Sequence, residues 1–235
     1  MIENIKKELE KLADPQQAAV SKRFFKTGQG QYAEGDIFLG IRVPVLRKTA
    51  DKYHDFPLSE IKQLLCSSIH EYRFFALVLL VNRFSSFRDS DRNKIADFYM
   101  ENKNYVNNWD LVDMSAPAIL GEYLMERDKE ILYRLAVSKS IWDRRIAIIS
   151  TFYFIKNNYY QETMNISKIL LNDGEDLIHK AVGWMLREVG KRDIDIEEKF
   201  LKQNYSDMPR TMLRYAIEKF PEDRRLAYLK MPINL

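Results

Sequence analysis

Apolar residues recur at intervals of three and four through almost the whole chain, beginning with Ile2, Ile5, Leu9 and Leu12. That spacing puts side chains on one face of an α-helix. Asp14-Pro15 stops the first helix and starts a second, which runs to about Phe25. Residues 27–36 hold three of the chain's eight glycines, break the periodicity, and read as one irregular loop, either a flexible turn or a short glycine-bounded hairpin. Its glycines do not have the spacing of a phosphate-binding loop. From there the pattern predicts helices over 44–53, 58–65, 69–84, 90–103, 109–125, 129–137, 141–155, 160–171, 175–191, 195–203, 209–220 and 223–229, with no alternating run to compete. Residues 72–77, 143–148 and 179–184 share a polar, basic start running into apolar residues, at offsets near multiples of 36. A repeat of that length marks helical pairs, which bury their apolar faces only by stacking into a curved solenoid with a concave binding side. The expected fold is all-α, one repeat-built domain over 1–235 of about six helical pairs.

Composition agrees with this. Glycine (8) and proline (7) are scarce, and 46% hydrophobic with 30% charged residues suits packed amphipathic helices. The apolar run 74–81, flanked by Arg73 and Arg83, is too short to span a bilayer. Cys66 is the single cysteine and the N-terminus reads as a charged helix, so the expected setting is a reducing, intracellular one, with no membrane partner. A net charge of +3 attracts polyanions only weakly, so any such affinity depends on where the cations sit.

Trp109 and Asp113 lie four apart and leave one face of their helix. In the sequence LVDMSA an unpaired carboxylate on a buried face would be costly. Asp113 is therefore either satisfied by Arg145 or a helix terminus, or it is used. With Trp109 it could flank a sugar, the indole against C–H groups and the carboxylate stabilising positive charge at the anomeric carbon while orienting a water. Lys180, Trp184, Arg187 and Lys191 follow at i, i+4, i+7 and i+11, a basic stripe with one aromatic that suits a phosphate backbone; alternatively it is a solvated face with Trp184 packed on a neighbour. Arg210 and Arg214 repeat the arrangement later. Arg145 reads equally as a phosphate clamp or as the partner of a core carboxylate. His54, His70, His179 and Cys66 have no metal-ligand spacing, and no Ser-His-Asp or Cys-His arrangement emerges, so the chemistry is expected to need no metal or cofactor.

Four motifs in order then resemble one family: Phe38-Leu39-Gly40-Ile41 with Pro44 and Arg47; Asn108-Trp109-Asp110-x-x-Asp113 with Pro117 and Gly121; Ile141-Trp142-x-x-Arg145-x-Ala147-Ile148; and Lys180-Ala181-x-Gly183-Trp184-x-Leu186-Arg187-Glu188. The chain resembles AlkD-like DNA alkylation repair proteins from about residue 37 to 220. The resemblance implies a superhelix of HEAT-like repeats with a basic concave cleft for duplex DNA. It also implies a monofunctional glycosylase that excises cationic N-alkylated purines, 3-methyladenine and 7-methylguanine, without a deep base pocket. By the same resemblance Asp113 is the catalytic carboxylate, and Trp109 and Trp184 contact the lesioned nucleotide. Arg145 binds phosphate beside it, with Arg47, Arg144, Lys180, Arg187, Lys191, Arg210 and Arg214 as further DNA contacts. The implied enzyme is a cytoplasmic monomer acting at the nucleoid. The chain departs from the family pattern in its longer, glycine-rich loop, which in this setting could touch DNA, and in Asn108 where a second aromatic can precede Trp109. Some members of the superfamily keep the fold and bind damaged or branched DNA without excision.

Overall fold

The computed structural model describes residues 2–53, 56–86 and 89–230, which leaves His54 outside the described residues. Among the described residues the regular elements are helices, with one isolated parallel bridge between Ile37 and Ile69. No described helix is long and apolar enough to cross a membrane. Two compact units divide the chain, Met1–Ser115 and Ala116–Leu235.

The first unit begins with α1 (Ile2–Lys11), whose Ile5 and Leu9 are fully buried. In α2 (Pro15–Phe24) the Asp14 carboxylate caps the backbone N–H groups of Gln16 (2.9 Å) and Gln17 (3.1 Å), and Pro15 occupies the first turn, as Asp-Pro predicts. Residues 26–36 form successive turns that bond to themselves: Gln31 Oε1 accepts from Gly28 N, and Glu34 Oε2 from Gly30 N. The turn reading of this loop holds, and no hairpin forms among the described residues. α3 (Val43–Ala50) and α4 (Leu58–Leu65) pack on α5 (His70–Ser86), which is buried on every side from His70 to Leu80. The run too short for a membrane is thus the unit's central helix. α6 (Asp89–Glu101) and a short 3₁₀ turn (Lys103–Tyr105) lead to α7 (Trp109–Ala116).

The segment read from sequence as one helix over 109–125 is interrupted. After α7 comes a π-helical turn, Pro117–Gly121, before α8 (Glu122–Leu124). Pro117 has no N–H to give the carbonyl four residues back, and a local widening of the helix absorbs the loss. In the second unit α10 (Ile141–Lys156) packs on α9 (Glu130–Ala136) and on the π turn; α12 (Asp176–Gly190) packs on α10, on α11 (Gln161–Ile169) and on α13 (Ile194–Asn204); α14 (Arg210–Ala216) packs on α12. α15 (Glu222–Lys230) ends the described chain. Stacked helical pairs are what the sequence repeat predicts, and the all-α class is observed.

Candidate functional site

Trp109 and Asp113, a helical turn apart on α7, both line a pocket of about 620 Å³ that lies wholly within the first unit. Three elements build its other walls: the end of α2, the segment entering α3, and the start of α5. The entering segment is held from two sides. Glu71, buried on α5, accepts backbone N–H bonds from Leu39 (2.9 Å), Gly40 (2.7 Å) and Ile41 (3.3 Å). On the other side Asp14 N donates to Leu39 O at 2.9 Å. Gly40 has φ +83°, and a Cβ there would stand 2.1 Å from the Asp14 carbonyl oxygen, so both the left-handed conformation and the close approach require glycine. The Phe-Leu-Gly-Ile motif is therefore a support that sets Phe38 and Ile41 in the pocket wall.

Aromatic rings make up much of that wall. His70, Phe38 and Phe25 form a three-ring cluster, with centroids 4.7 Å (His70–Phe38), 5.1 Å (Phe38–Phe25) and 4.9 Å (Phe25–His70) apart, and Phe25 in turn stacks on Trp109 at 5.3 Å and 19°. Phe24 meets Trp109 edge-on at 5.7 Å and is 63% exposed. In this cluster His70 is buried: its Nε2 is 2.8 Å from Asp110 Oδ2, and its Nδ1 is 3.5 Å from Asp36 Oδ2, which also accepts from Arg73 at 2.6 Å. Burial works against the imidazolium, but the bonds to Asp110 and Asp36 outweigh it, and the His70 pKa is raised. Burial likewise opposes the Asp36 carboxylate, while His70 and Arg73 hold its pKa below the ordinary value. On the inner side of α7, Tyr99 is fully buried and bonded to Ser115 at 3.0 Å. Burial pushes its phenol pKa up; the Ser115 bond opposes this and the nearby Asp113 charge adds to it.

Arg47 is exposed at the pocket, its guanidinium 5.9 Å from the Phe74 ring centroid. The remaining site residues expected from sequence belong to the second unit. Trp184 is half-buried, tilted against Phe152 at 5.6 Å, and its Nε1 donates to Glu188 at 3.2 Å. Glu188 also draws Lys191 (2.6 Å) and lies 3.6 Å from Arg187, which pairs in addition with Glu218. Lys180 pairs with Asp176 at 2.7 Å. Three of the stripe's four residues lie on α12 and Lys191 caps its end, but Glu188 sits among them. Arg145 is 5% exposed and one nitrogen of its guanidinium donates to the Leu177 carbonyl at 2.5 Å. Arg144 holds Asp173 with Nε at 2.6 Å and NH2 at 3.3 Å, and the carbonyls of Ser138 and Lys139 with NH1. Arg210 donates to the Leu229 carbonyl, and Arg214 is exposed with no ion pair among the described residues.

Sequence reasoning did not pick out Phe24, Phe25 or Glu71, and it gave no role in the site to His70 or to Asp110 of the family motif. The Phe24-Phe25 pair at a helix end, the first exposed and the second half-buried, was the one signal available; the His70–Asp110 bond spans forty residues and has no local signature. Among the described residues no group of three or more His, Cys, Asp or Glu could hold a metal ion.

A sequence model described as "DNA alkylation repair enzyme" matches residues 5–220. The structure is similar to that of a "Predicted DNA alkylation repair enzyme from Enterococcus faecalis", with TM-score 0.68 and 17% identity over 89% of this chain and 97% of that one. It is also similar to AlkD2 from Streptococcus mutans, with TM-score 0.55 and 18% identity over 88% and 98% of the two chains. A third similar structure is smu.31 from Streptococcus mutans UA159, with TM-score 0.51 and 18% identity over 82% and 93%. No curated protein sequence matches.

Proposed function

Since the chain belongs to the DNA alkylation repair enzyme family, we propose that it is a monofunctional DNA glycosylase that hydrolyses the N-glycosidic bond of cationic N-alkylated purines, 3-methyladenine and 7-methylguanine, in duplex DNA. The observation that carries this reading is the meeting of Asp113 and Trp109 in one aromatic pocket. A purine alkylated at N3 or N7 carries a positive charge, so breaking the bond from C1′ to the base sends the electron pair into a ring that becomes neutral. No general acid is needed. The difficulty is the cationic sugar left behind, and a carboxylate held against low-dielectric walls stabilises that developing charge more than it would in water. Asp113 also orients the water that adds to C1′ and receives its proton, which leaves an abasic sugar and free base. Trp109 presents its ring to the deoxyribose, and no step calls for a metal or cofactor. Trp184, Arg145, Arg144, Lys180, Arg187, Lys191, Arg210 and Arg214 of the second unit, with Arg47 of the first, contact the DNA backbone, and the protein acts as a monomer. Methylated duplex DNA incubated with the protein should release 3-methyladenine and 7-methylguanine, resolved by chromatography. Tight binding to that DNA with no base released would replace the enzyme with a non-catalytic reader of damage.

A further inference from the structure

Glu188 follows Trp184 by four residues on α12, among cations that the function above assigns to phosphate. Its side chain is 10% exposed, so it is no solvated surface charge. A carboxylate here repels DNA, and burying it is costly unless it is bonded. Bonds are what it has. Oε1 accepts from Trp184 Nε1 at 3.2 Å and from Lys191 Nζ at 2.6 Å, and it lies 3.6 Å from Arg187; Oε2 lies 3.8 Å from Arg192. The Trp184 ring packs on Phe152 of α10, with centroids 5.6 Å apart and planes tilted by 47°. The indole is thus restrained twice, once from a neighbouring helix and once from its own.

Resting on the glycosylase reading, we propose that Glu188 is a positioning residue, which fixes the Trp184 indole for its contact with the DNA backbone beside the lesion. Packing on Phe152 alone leaves the ring free to turn over. The bond to Nε1 does not, because its acceptor must lie near the plane of the indole, and this decides which edge the ring presents. A contact that sets the register of the duplex affects the rate more than the affinity, since a small misplacement leaves DNA bound but poorly aligned for reaction. Arg187, Lys191 and Arg192 surround the carboxylate and offset the repulsion that a bare anion would exert on phosphates.

Two variants of the full chain separate the hydrogen bond from the charge. Glu188→Gln keeps an acceptor for Nε1, and Glu188→Leu has similar volume and none; should the latter not fold, Glu188→Ala takes its place. Both lose the anion, so both should bind methylated duplex as tightly as the wild type or more so. Only Glu188→Leu should slow single-turnover release of 7-methylguanine, by about 10-fold. The loss should run through the indole: in a Trp184→Phe background, Glu188→Leu should slow release no further. A second readout needs no catalysis. In fluorine NMR spectra of protein labelled with 5-fluorotryptophan, the Trp184 line, assigned by its absence in Trp184→Phe, should move or broaden in Glu188→Leu and stay near its wild-type position in Glu188→Gln. An unmoved line in Glu188→Leu overturns the proposal, as do equal rate losses in the two variants or losses that add to that of Trp184→Phe. If the wild type releases no base, the glycosylase reading fails by itself, and the Trp184 line still decides whether Glu188 places the indole.

Discussion

His70 shows how much of the first unit's charge is committed to holding shape. It is 3% exposed, lies between Asp110 and Asp36, and packs on both Phe38 and Phe25, the ring that carries Trp109. Its folded pKa is raised above the ordinary histidine value. Its contribution to stability is therefore complete below about pH 6.5, the unfolded value, and fades as pH rises through the folded one. Asp36 has the opposite sign: lowered in the fold, it contributes above its unfolded value and is lost as acid takes the pH through the folded one. His70→Gln should then cost roughly 3 kcal/mol at pH 5.5, because Asp110 loses the cation bonded to it and Asp36 keeps only Arg73, and clearly less at pH 9. Denaturant unfolding at the two pH values measures this. An equal cost at both would mean that the imidazole is neutral throughout.

Gly121 and Gly183 show a structural repetition whose spacing is not a multiple of the 36 residues read from the sequence. A Cβ on Gly121 would stand 2.4 Å from the Ser150 carbonyl oxygen and 2.7 Å from Tyr153 Cβ; on Gly183 it would meet the Met212 carbonyl oxygen at 2.4 Å and Tyr215 Cβ at 2.5 Å. The two contacts are the same contact 62 residues apart, one helix pressed on the helix that packs against it. Gly183→Ala should cost about 1–3 kcal/mol through overpacking, offset in part by alanine's better helix propensity, and lower the melting temperature by several degrees. An unchanged melting temperature would mean that α12 and α14 can separate freely. These contacts explain why the sequence showed so much of the fold. Helix faces and close-approach glycines are local and periodic, and most boundaries shifted by only a residue or two; the exceptions are α3, which ends at Ala50 and not at residue 53, α14, which gives way to a 3₁₀ turn after Ala216, and the segment where Pro117 turned α into π. The site was legible only in part, for the same reason. Trp109 and Asp113 share a face by spacing alone, and they do meet in one pocket. Phe25, Phe38 and His70 reach that pocket through a turn-rich loop and a neighbouring helix, which no periodicity encodes. On α12 the cations at four-residue spacing drew attention away from Glu188, whose pairing with Lys191, Arg187 and Trp184 appears only when side chains are placed.

For the molecule as a whole, a net charge of +3 with many cations already paired means that DNA must compete with the protein's own acids. Affinity for undamaged duplex should be weak and fall steeply with salt. Arg210→Ala with Arg214→Ala should flatten the slope of log affinity against log salt by about two units. Fluorescence titration across a salt series checks this, and an unchanged slope would remove α14 from the DNA contacts. Asp113 carries the central claim. Its proposed work is done only as charge develops on the sugar, so Asp113→Asn should leave melting and DNA affinity near wild type, or tighten binding slightly by removing an anion, while slowing excision about 10²–10³-fold. A structural Asp113 predicts instead a loss of roughly 3–5 kcal/mol in stability, with activity falling in proportion. The decisive measurement is single-turnover release of 7-methylguanine from methylated duplex by wild type and Asp113→Asn, each with its melting temperature. A stable variant slowed by two to three orders of magnitude is the predicted result, and a stable variant that excises at the wild-type rate would contradict the account.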